Sequence, residues 1–268
     1  YSEADTKLQT DSLAKVRAER DGEEVKRCLA QISADAKTAL DAILNRTDPL
    51  KPKDRMAIPA QPMPAQPASE RVKNMEEVAL GDTPEQAQVE AERCLQCKNA
   101  PCIKGCPVAI DIPGFVKAIA ETEFGKAVDT IKQSSLLPAI CGRVCPQEVQ
   151  CQVECTVGKV LKDVEASVSI GRLERFVADY EREHGAIETP AVKPETGKKV
   201  AVIGSGPASI TVAADVRREG HAVTMFEAFH KPGGVMMYGI PEFRLPKAIV
   251  QQEISTLRDM GIDIRTNF

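Results

Sequence analysis

The chain contains no tryptophan, and aromatic residues make up only 4% of it. So few rings leave little material for a sugar-binding platform or a base-stacking surface. Positive charge is not in excess either. Thirty-five Lys and Arg face 39 Asp and Glu, for a net charge of −4, whereas a nucleic-acid surface needs clustered basic residues. No apolar run approaches the roughly 18 residues of a membrane span, and no signal peptide is visible. Histidine is scarce: His184, His221 and His230 are the three in the chain. None has an evident catalytic partner in the sequence, and all three are expected at the surface.

What remains is an ordinary soluble balance, 28% charged and 43% hydrophobic over 268 residues, enough chain for two compact units. Because the sequence opens on Tyr1 rather than Met, its true start is expected upstream. Eight of its nine cysteines lie between 94 and 155. The ninth, Cys28, stands alone in a charged helical pattern and is expected to be inert. An odd total without a secretion signal argues against a disulfide scaffold. A reducing, cytoplasmic setting is expected instead, where dense cysteines hold metal.

Apolar positions Val25, Leu29, Ile32, Ala36, Leu40 and Ile43 recur at helical spacing. Residues 1–50 are therefore read as a helical extension, either docking another subunit or packing on its own domain. Residues 51–82 are read as an extended proline-rich linker, since "AIPAQPMPAQPAS" (57–69) holds four prolines. The next stretch, "DTPEQAQVEAERCLQC", carries a helix start: Thr83 as N-cap, Pro84 in the first turn and Gln86 closing a capping box. Two helices are expected between the cysteine bursts, and another over Ser169–Glu183. Residues 83–190 thus read as a helical domain, and 196–268 as a different one. There, "KKVAVIGSGPASITVAADVRREGHAVTMFEA" is a strand, a glycine turn, a helix and a second strand, a βαβ unit. A helix over Lys247–Met260 and a third strand in "IDIRTNF" follow. The fold class is α + α/β, a helical domain followed by an incomplete Rossmann-like one.

The cysteine spacings are C-x2-C-x4-C-x3-C-P and then C-x3-C-P-x4-C-x3-C. Structural zinc sites use pairs of close knuckles, and only one C-x2-C pair is present. Iron–sulfur clusters favour a compact run of three ligands plus a cysteine before proline that reaches another cluster. The spacing favours iron–sulfur clusters and leaves zinc, disulfides or free thiols as alternatives. Eight cysteines could serve two four-iron clusters.

In the glycine turn, Gly204 allows the tight bend and Gly206 lets a pyrophosphate approach the backbone. Pro207, Ala208 and Ser209 open the helix, whose free N–H groups attract phosphate. Ser209 stands where a third glycine or alanine is usual but is small enough for close packing. Glu227 ends the second strand, where a carboxylate holds an adenosine ribose. The motif does not separate FAD from NAD, and a strand–turn–helix without ligand is the bland alternative.

"EAERCLQCKNAPCIKGCPV", "CGRVCP", "GSGPAS" and "KPGGVMMYGIPEFRLPK" occur in that order. Together they resemble the small (beta) subunit family of NADPH-dependent glutamate synthase. The same module occurs in the large subunit of NADH-dependent ferredoxin:NADP oxidoreductase and the N-terminal half of dihydropyrimidine dehydrogenase. The resemblance covers roughly residues 70 to 268. It implies FAD contacted by Gly204, Gly206, Glu227 and the Gly233-Gly234 turn. It also implies two 4Fe–4S clusters with crossed ligation: Cys94, Cys97, Cys102 and Cys155 on one, and Cys106, Cys145, Cys151 and an oxygen ligand matching Glu174 on the other. Cys141 is left as a non-ligand thiol. Read by itself, Glu174 would be a solvated carboxylate, although its spacing from Ile170 and Val177 turns it toward the apolar flank of its helix.

The resemblance implies an FAD- and iron–sulfur-dependent NAD(P)H oxidoreductase subunit passing electrons to a redox partner. The NADPH or NADH site is expected beyond Phe268, so the chain is expected to be a fragment, or else completed by a neighbouring subunit. The first expectation is the glutamate synthase small subunit, whose large-subunit partner makes glutamate from 2-oxoglutarate and glutamine. The alternatives are the large subunit of a flavin-bifurcating ferredoxin/NAD(P) transhydrogenase complex, a non-catalytic electron wire and, remotely, a zinc-stabilised interaction module.

Overall fold

The computed structural model describes residues 23–184, 187 and 189–268; helix expected before residue 23 lies outside the described residues. The chain divides into two units, Tyr1–His184 and Gly185–Phe268.

The first unit is helical. Helix Glu23–Leu44 packs on helix Pro84–Glu92 through the face expected from the sequence, with Ala36 and Leu40 buried. It therefore packs on its own unit rather than standing free. The side chain of Cys28, on this helix, lies outside the described set. The stretch 51–82 departs from a continuous extended linker. It contains the short helices Pro52–Ala57 and Ala68–Arg71. It also folds back on itself, where Gln66 N donates to Val78 O at 2.8 Å and Leu80 N to Pro64 O at 2.8 Å. The reason is that proline is disfavoured inside a helix but compatible with its first turn, where Pro52 sits.

Helix Pro84–Glu92 begins with a capping box: Gln86 N donates to Thr83 Oγ1 at 3.3 Å, and Thr83 N to Gln86 Oε1 at 3.1 Å. Helices Ile112–Ala120, Phe124–Lys132 and Pro138–Val144 follow, and all three pack against Ile170–His184. The shared core includes Phe115, Ile119, Ile131, Leu173 and Val177, all buried. Each such burial contributes about 1.5–3 kcal/mol. Phe124 adds edge-on contacts to Phe176 and Tyr180 at 5.0 and 4.8 Å between ring centres.

Two knots of buried charge stand out in this unit. Glu90 and Arg93 pair at 2.5 Å, while Arg93 donates to Ile58 O and Ser167 O. That knot fixes the chain just before Cys94. In the second, Arg143 bonds Glu77 and Asp179, both at 2.7 Å, and Arg175 bonds Glu77 at 3.1 Å. It ties the 64–80 segment to the two helices carrying Cys141 and Glu174.

The second unit contains a parallel sheet in the order β1-β2-β3 (Lys199–Ile203, Ala222–Phe226, Asp263–Arg265). Val200 pairs with Val223, and Met225 with Ile264. Helix Pro207–Arg218 joins β1 to β2, and helix Lys247–Asp259 precedes β3. Among the described residues no helix is long and apolar enough to cross a membrane.

Candidate functional site

The eight described cysteines are all unbridged, and the first unit sorts them into two groups. Cys94 is delivered by the end of helix Pro84–Glu92, its N–H bonded to Ala91 O at 3.0 Å. The chain then turns through left-handed Gln96 and Ala100 (φ 50° and 35°) into the short helix carrying Cys102. Cys94, Cys97, Cys102 and Cys155 line one pocket, walled by Ile112, Val116, Val157 and Val168. Burial pushes the Cys94 thiol up to about 11, and the charges of Cys155 and Cys97 add to the rise. Cys102 is pushed up to about 12 by burial, then by Cys94 and Cys155. Cys97 Sγ contacts Thr156 Oγ1 at 3.3 Å, and Gln96 Nε2 donates to Cys94 Sγ at 3.5 Å.

The second group comprises Cys106, Cys141, Cys145, Cys151 and Glu174. It depends on three close approaches to glycine, two by backbone and one by a side chain. A Cβ at Gly105 would lie 2.7 Å from Gln150 O and 3.0 Å from Cys151 Cα, so the first burst lies directly on the second. A Cβ at Gly142 would come within 2.6 Å of Arg175 N, and a Cβ at Gly171 within 1.9 Å of the Gln147 amide. Helix Ile170–His184 is thereby held against the Cys141–Cys145 segment. Glu174 is only 6% exposed, and its Oε1 has no hydrogen-bond partner among the described residues. Burial pushes its carboxyl up to about 8. Burial also pushes Cys141 and Cys151 up to about 12 and raises Cys145, with the Glu174 charge acting on all three. Cys145 Sγ donates to Gln150 Oε1 at 2.9 Å.

These donor sets fit iron–sulfur clusters. The thiols of Cys94, Cys102, Cys141, Cys145 and Cys151 and the Glu174 carboxyl resist ionisation; a cationic metal core would reverse that and would give the orphaned oxygen a partner. Among the described residues no three His, Cys, Asp or Glu side chains close on a point as they would around a single metal ion. A cubane places its four outer ligands on four separate irons, so its donors need not converge that tightly.

In the second unit, Gly204 has φ +86° and donates its N–H to Phe226 O at 2.7 Å. Among the described residues nothing lies within 4 Å of a Cβ built on Gly206. Pro207 and Ala208 are exposed at the start of the helix, and Ser209 Oγ turns back to Ile203 O at 3.4 Å. Gly234, at φ +53°, sits on this turn; a Cβ there would lie 2.8 Å from Gly206 Cα. Sequence reasoning missed Ser205, the unspecified residue between the two glycines. Its buried hydroxyl donates to Glu227 Oε2 and accepts from Gly233 N at 2.9 Å. Glu227 Oε1 also accepts from Phe229 N at 2.8 Å. Burial would raise the Glu227 carboxyl, but the Phe229 N–H and the Ser205 hydroxyl outweigh it and hold it below the usual range. Gly204–Ser209, Glu227 and Gly233–Gly234 therefore form one cradle.

The histidines each take a local partner. His184 stacks on Tyr180 at 4.3 Å, His221 contacts Thr196 Oγ1 at 2.5 Å, and His230 contacts the Tyr238 hydroxyl at 3.2 Å.

Residues 71–186 match the family model of dihydropyrimidine dehydrogenase domain II, 4Fe-4S cluster. Residues 202–259 match that of the NAD(P)-binding Rossmann-like domain. The chain is 40% identical over 194 residues to the NAD-dependent dihydropyrimidine dehydrogenase subunit PreT of Escherichia coli O157:H7, covering 72% of this chain and 46% of that one. It is 33% identical over 210 residues to the glutamate synthase (NADPH) small chain of Azospirillum brasilense, covering 78% and 43%. It is 39% identical over 168 residues to the NADPH-Fe(3+) oxidoreductase subunit beta of Geobacter sulfurreducens, covering 62% and 24%. The matched region spans less than half the length of each of these relatives. The chain is thus related to these oxidoreductase subunits over the matched region, and carries a helical domain that matches the 4Fe-4S family model followed by part of a Rossmann-like region.

Proposed function

We propose that the chain is the electron-transferring part of an NAD(P)H oxidoreductase subunit that holds two 4Fe–4S clusters and FAD. Cys94, Cys97, Cys102 and Cys155 hold the first cluster. Cys106, Cys145, Cys151 and Glu174 hold the second. Gly204, Gly206, Pro207, Ala208, Ser209, Glu227, Gly233 and Gly234 hold the flavin. The observation that carries this reading is the buried Glu174 oxygen with no partner among the described residues, beside three cysteines. In its ionised form a buried carboxylate without a partner is costly; a bound cation offsets that cost, and otherwise the group stays protonated.

In those positions the flavin would supply the change from two-electron to one-electron transfer, and the clusters one-electron conduction. The protein's part is placement and tuning. Cys155, from the second burst, closes the first ligand set and Cys106, from the first burst, the second, so each binding loop depends on the other. Ile112, Val116, Val157 and Val168 keep water from the first set. Glu174 gives the second set a harder donor than thiolate, which separates the potentials of the two clusters. Ser205 holds Glu227 and Gly233 around the glycine turn.

The acceptor is a partner subunit. The motif order and the 33% identity to a glutamate synthase small chain support the glutamate synthase large subunit as that partner. The 40% identity to PreT favours a second reading, a dihydropyrimidine dehydrogenase catalytic subunit. Anaerobic addition of NADPH or NADH to the full-length holoprotein tests the proposal. Bleaching of a flavin–cluster spectrum and a paramagnetic reduced-cluster signal support it. Clusters that stay oxidised reduce the chain to an electron wire. Reconstitution with each large subunit then separates the partners, through glutamine-dependent or pyrimidine-dependent turnover.

A further inference from the structure

The second cysteine group holds five donors where a cubane takes four, and the fifth is Cys141. Cys141 lies one helical turn before Cys145, whose N–H bonds Cys141 O at 3.0 Å, so the two thiols share a helix face. The next residue, Gly142, is pressed onto the backbone of Arg175, which brings Cys141 and Glu174 to the same crossing of two helices. Gln147 Nε2 fixes the Cys141 carbonyl at 3.1 Å, and Gly171 abuts that same Gln147 amide. Among the described residues, the hydrogen-bonding contact of the Cys141 thiol is a 4.0 Å approach to Ser135 Oγ. Facing this half-buried thiol is Glu174, with an oxygen that no group among the described residues satisfies.

We propose that Cys141 is an alternate ligand of the second cluster, a thiol that takes the iron held by Glu174 when that carboxylate leaves. The inference rests on the two-cluster reading above. In the exchange one Fe–O bond breaks and one Fe–S bond forms. The thiol proton passes to the released carboxylate, no electron moves and no co-reactant is required. Thiolate in place of carboxylate changes the potential of that cluster alone.

The test compares iron, acid-labile sulfide and the reduced-state EPR spectrum of full-length holoprotein in four forms: wild type, Glu174→Ala, Cys141→Ser and the double variant. The expected result is about eight irons in wild type and in each single variant, and about four in the double variant. Glu174→Ala should also show an altered signal and a shifted midpoint for one cluster, with the other unchanged. Glu174→Leu, which refills the buried volume, gives the same readout if Glu174→Ala fails to fold. Loss of the second cluster from a Glu174 variant alone would overturn the inference, as would full iron in the double variant. A wild-type protein without about eight irons would overturn the two-cluster reading itself.

Discussion

Gly142 lies against the backbone of Arg175 so closely that a side-chain carbon at position 142 would come within 2.6 Å of the Arg175 nitrogen. This contact is what lets one helix present Cys141 and Cys145 to Glu174 on another. Gly142→Ala must push the two helices apart, at a cost of about 1–3 kcal/mol. The expected outcome is selective loss of the Glu174-side cluster, read as a fall from about eight irons to about four with the other EPR signal retained. Wild-type iron content and unchanged stability would show that the approach does not govern the site.

Arg143 bridges Glu77 and Asp179 and also donates to Ala139 O at 2.9 Å. It is the centre of a buried network, so its removal leaves carboxylates short of their counter-charge. Arg143→Leu is expected to destabilise the helical unit by roughly 3–5 kcal/mol, the range for breaking a buried ion pair from one side. Urea unfolding followed by circular dichroism measures it. Arg143→Lys should recover only part, because a single ammonium cannot match the fork that reaches both carboxylates.

The same network sets a pH dependence. Burial pushes the Asp179 carboxyl up, but the charge and hydrogen bonds of Arg143, with Arg175 and Arg182, outweigh it and hold the group below 3.8. A carboxyl depressed on folding stabilises the protein above its unfolded value, and that contribution disappears as pH falls through the folded one. The expected result is a loss of stability below about pH 4 that is smaller in Asp179→Asn, seen by comparing unfolding midpoints at pH 3 and pH 6.

Gly206 offers a cleaner test of the nucleotide cradle than its neighbours. Its φ of −69° suits any residue, and among the described residues nothing lies within 4 Å of a side-chain carbon there. Gly206→Val is therefore expected to leave the fold's own stability nearly unchanged while blocking the approach of a pyrophosphate to the backbone. Flavin released by acid should fall at least tenfold per chain. Retention of full flavin would place the cofactor elsewhere.

Local signals were legible in the sequence, and long-range pairings were not. The capping box at Thr83, Pro84 and Gln86, the strand–glycine turn–helix after Lys199 and the apolar stripe through Ala36 and Leu40 all depend on residues a few positions apart. They appear in the structure as read. Which thiols face one another does not follow from C-x2-C or C-x3-C intervals, because it is set by Gly105 on Cys151 and Gly142 on Arg175, contacts across the chain. The burial of Glu174 was barely hinted at by its neighbours Ile170 and Val177. Ser205 gave no signal, since a serine between two glycines reads as filler until Glu227 and Gly233 are seen to converge on it. Proline counting also overstated the extended character of residues 51–82, where Pro52 begins a helix.

The most direct test of the central claim is anaerobic iron and acid-labile sulfide per chain, measured with the absorption spectrum of the purified full-length protein. Two clusters on the two cysteine groups predict about eight irons and eight sulfides, with a flavin spectrum beneath the cluster absorption. Stoichiometric zinc and a colourless protein would contradict the account, leaving the cysteine groups as structural sites with no part in electron transfer.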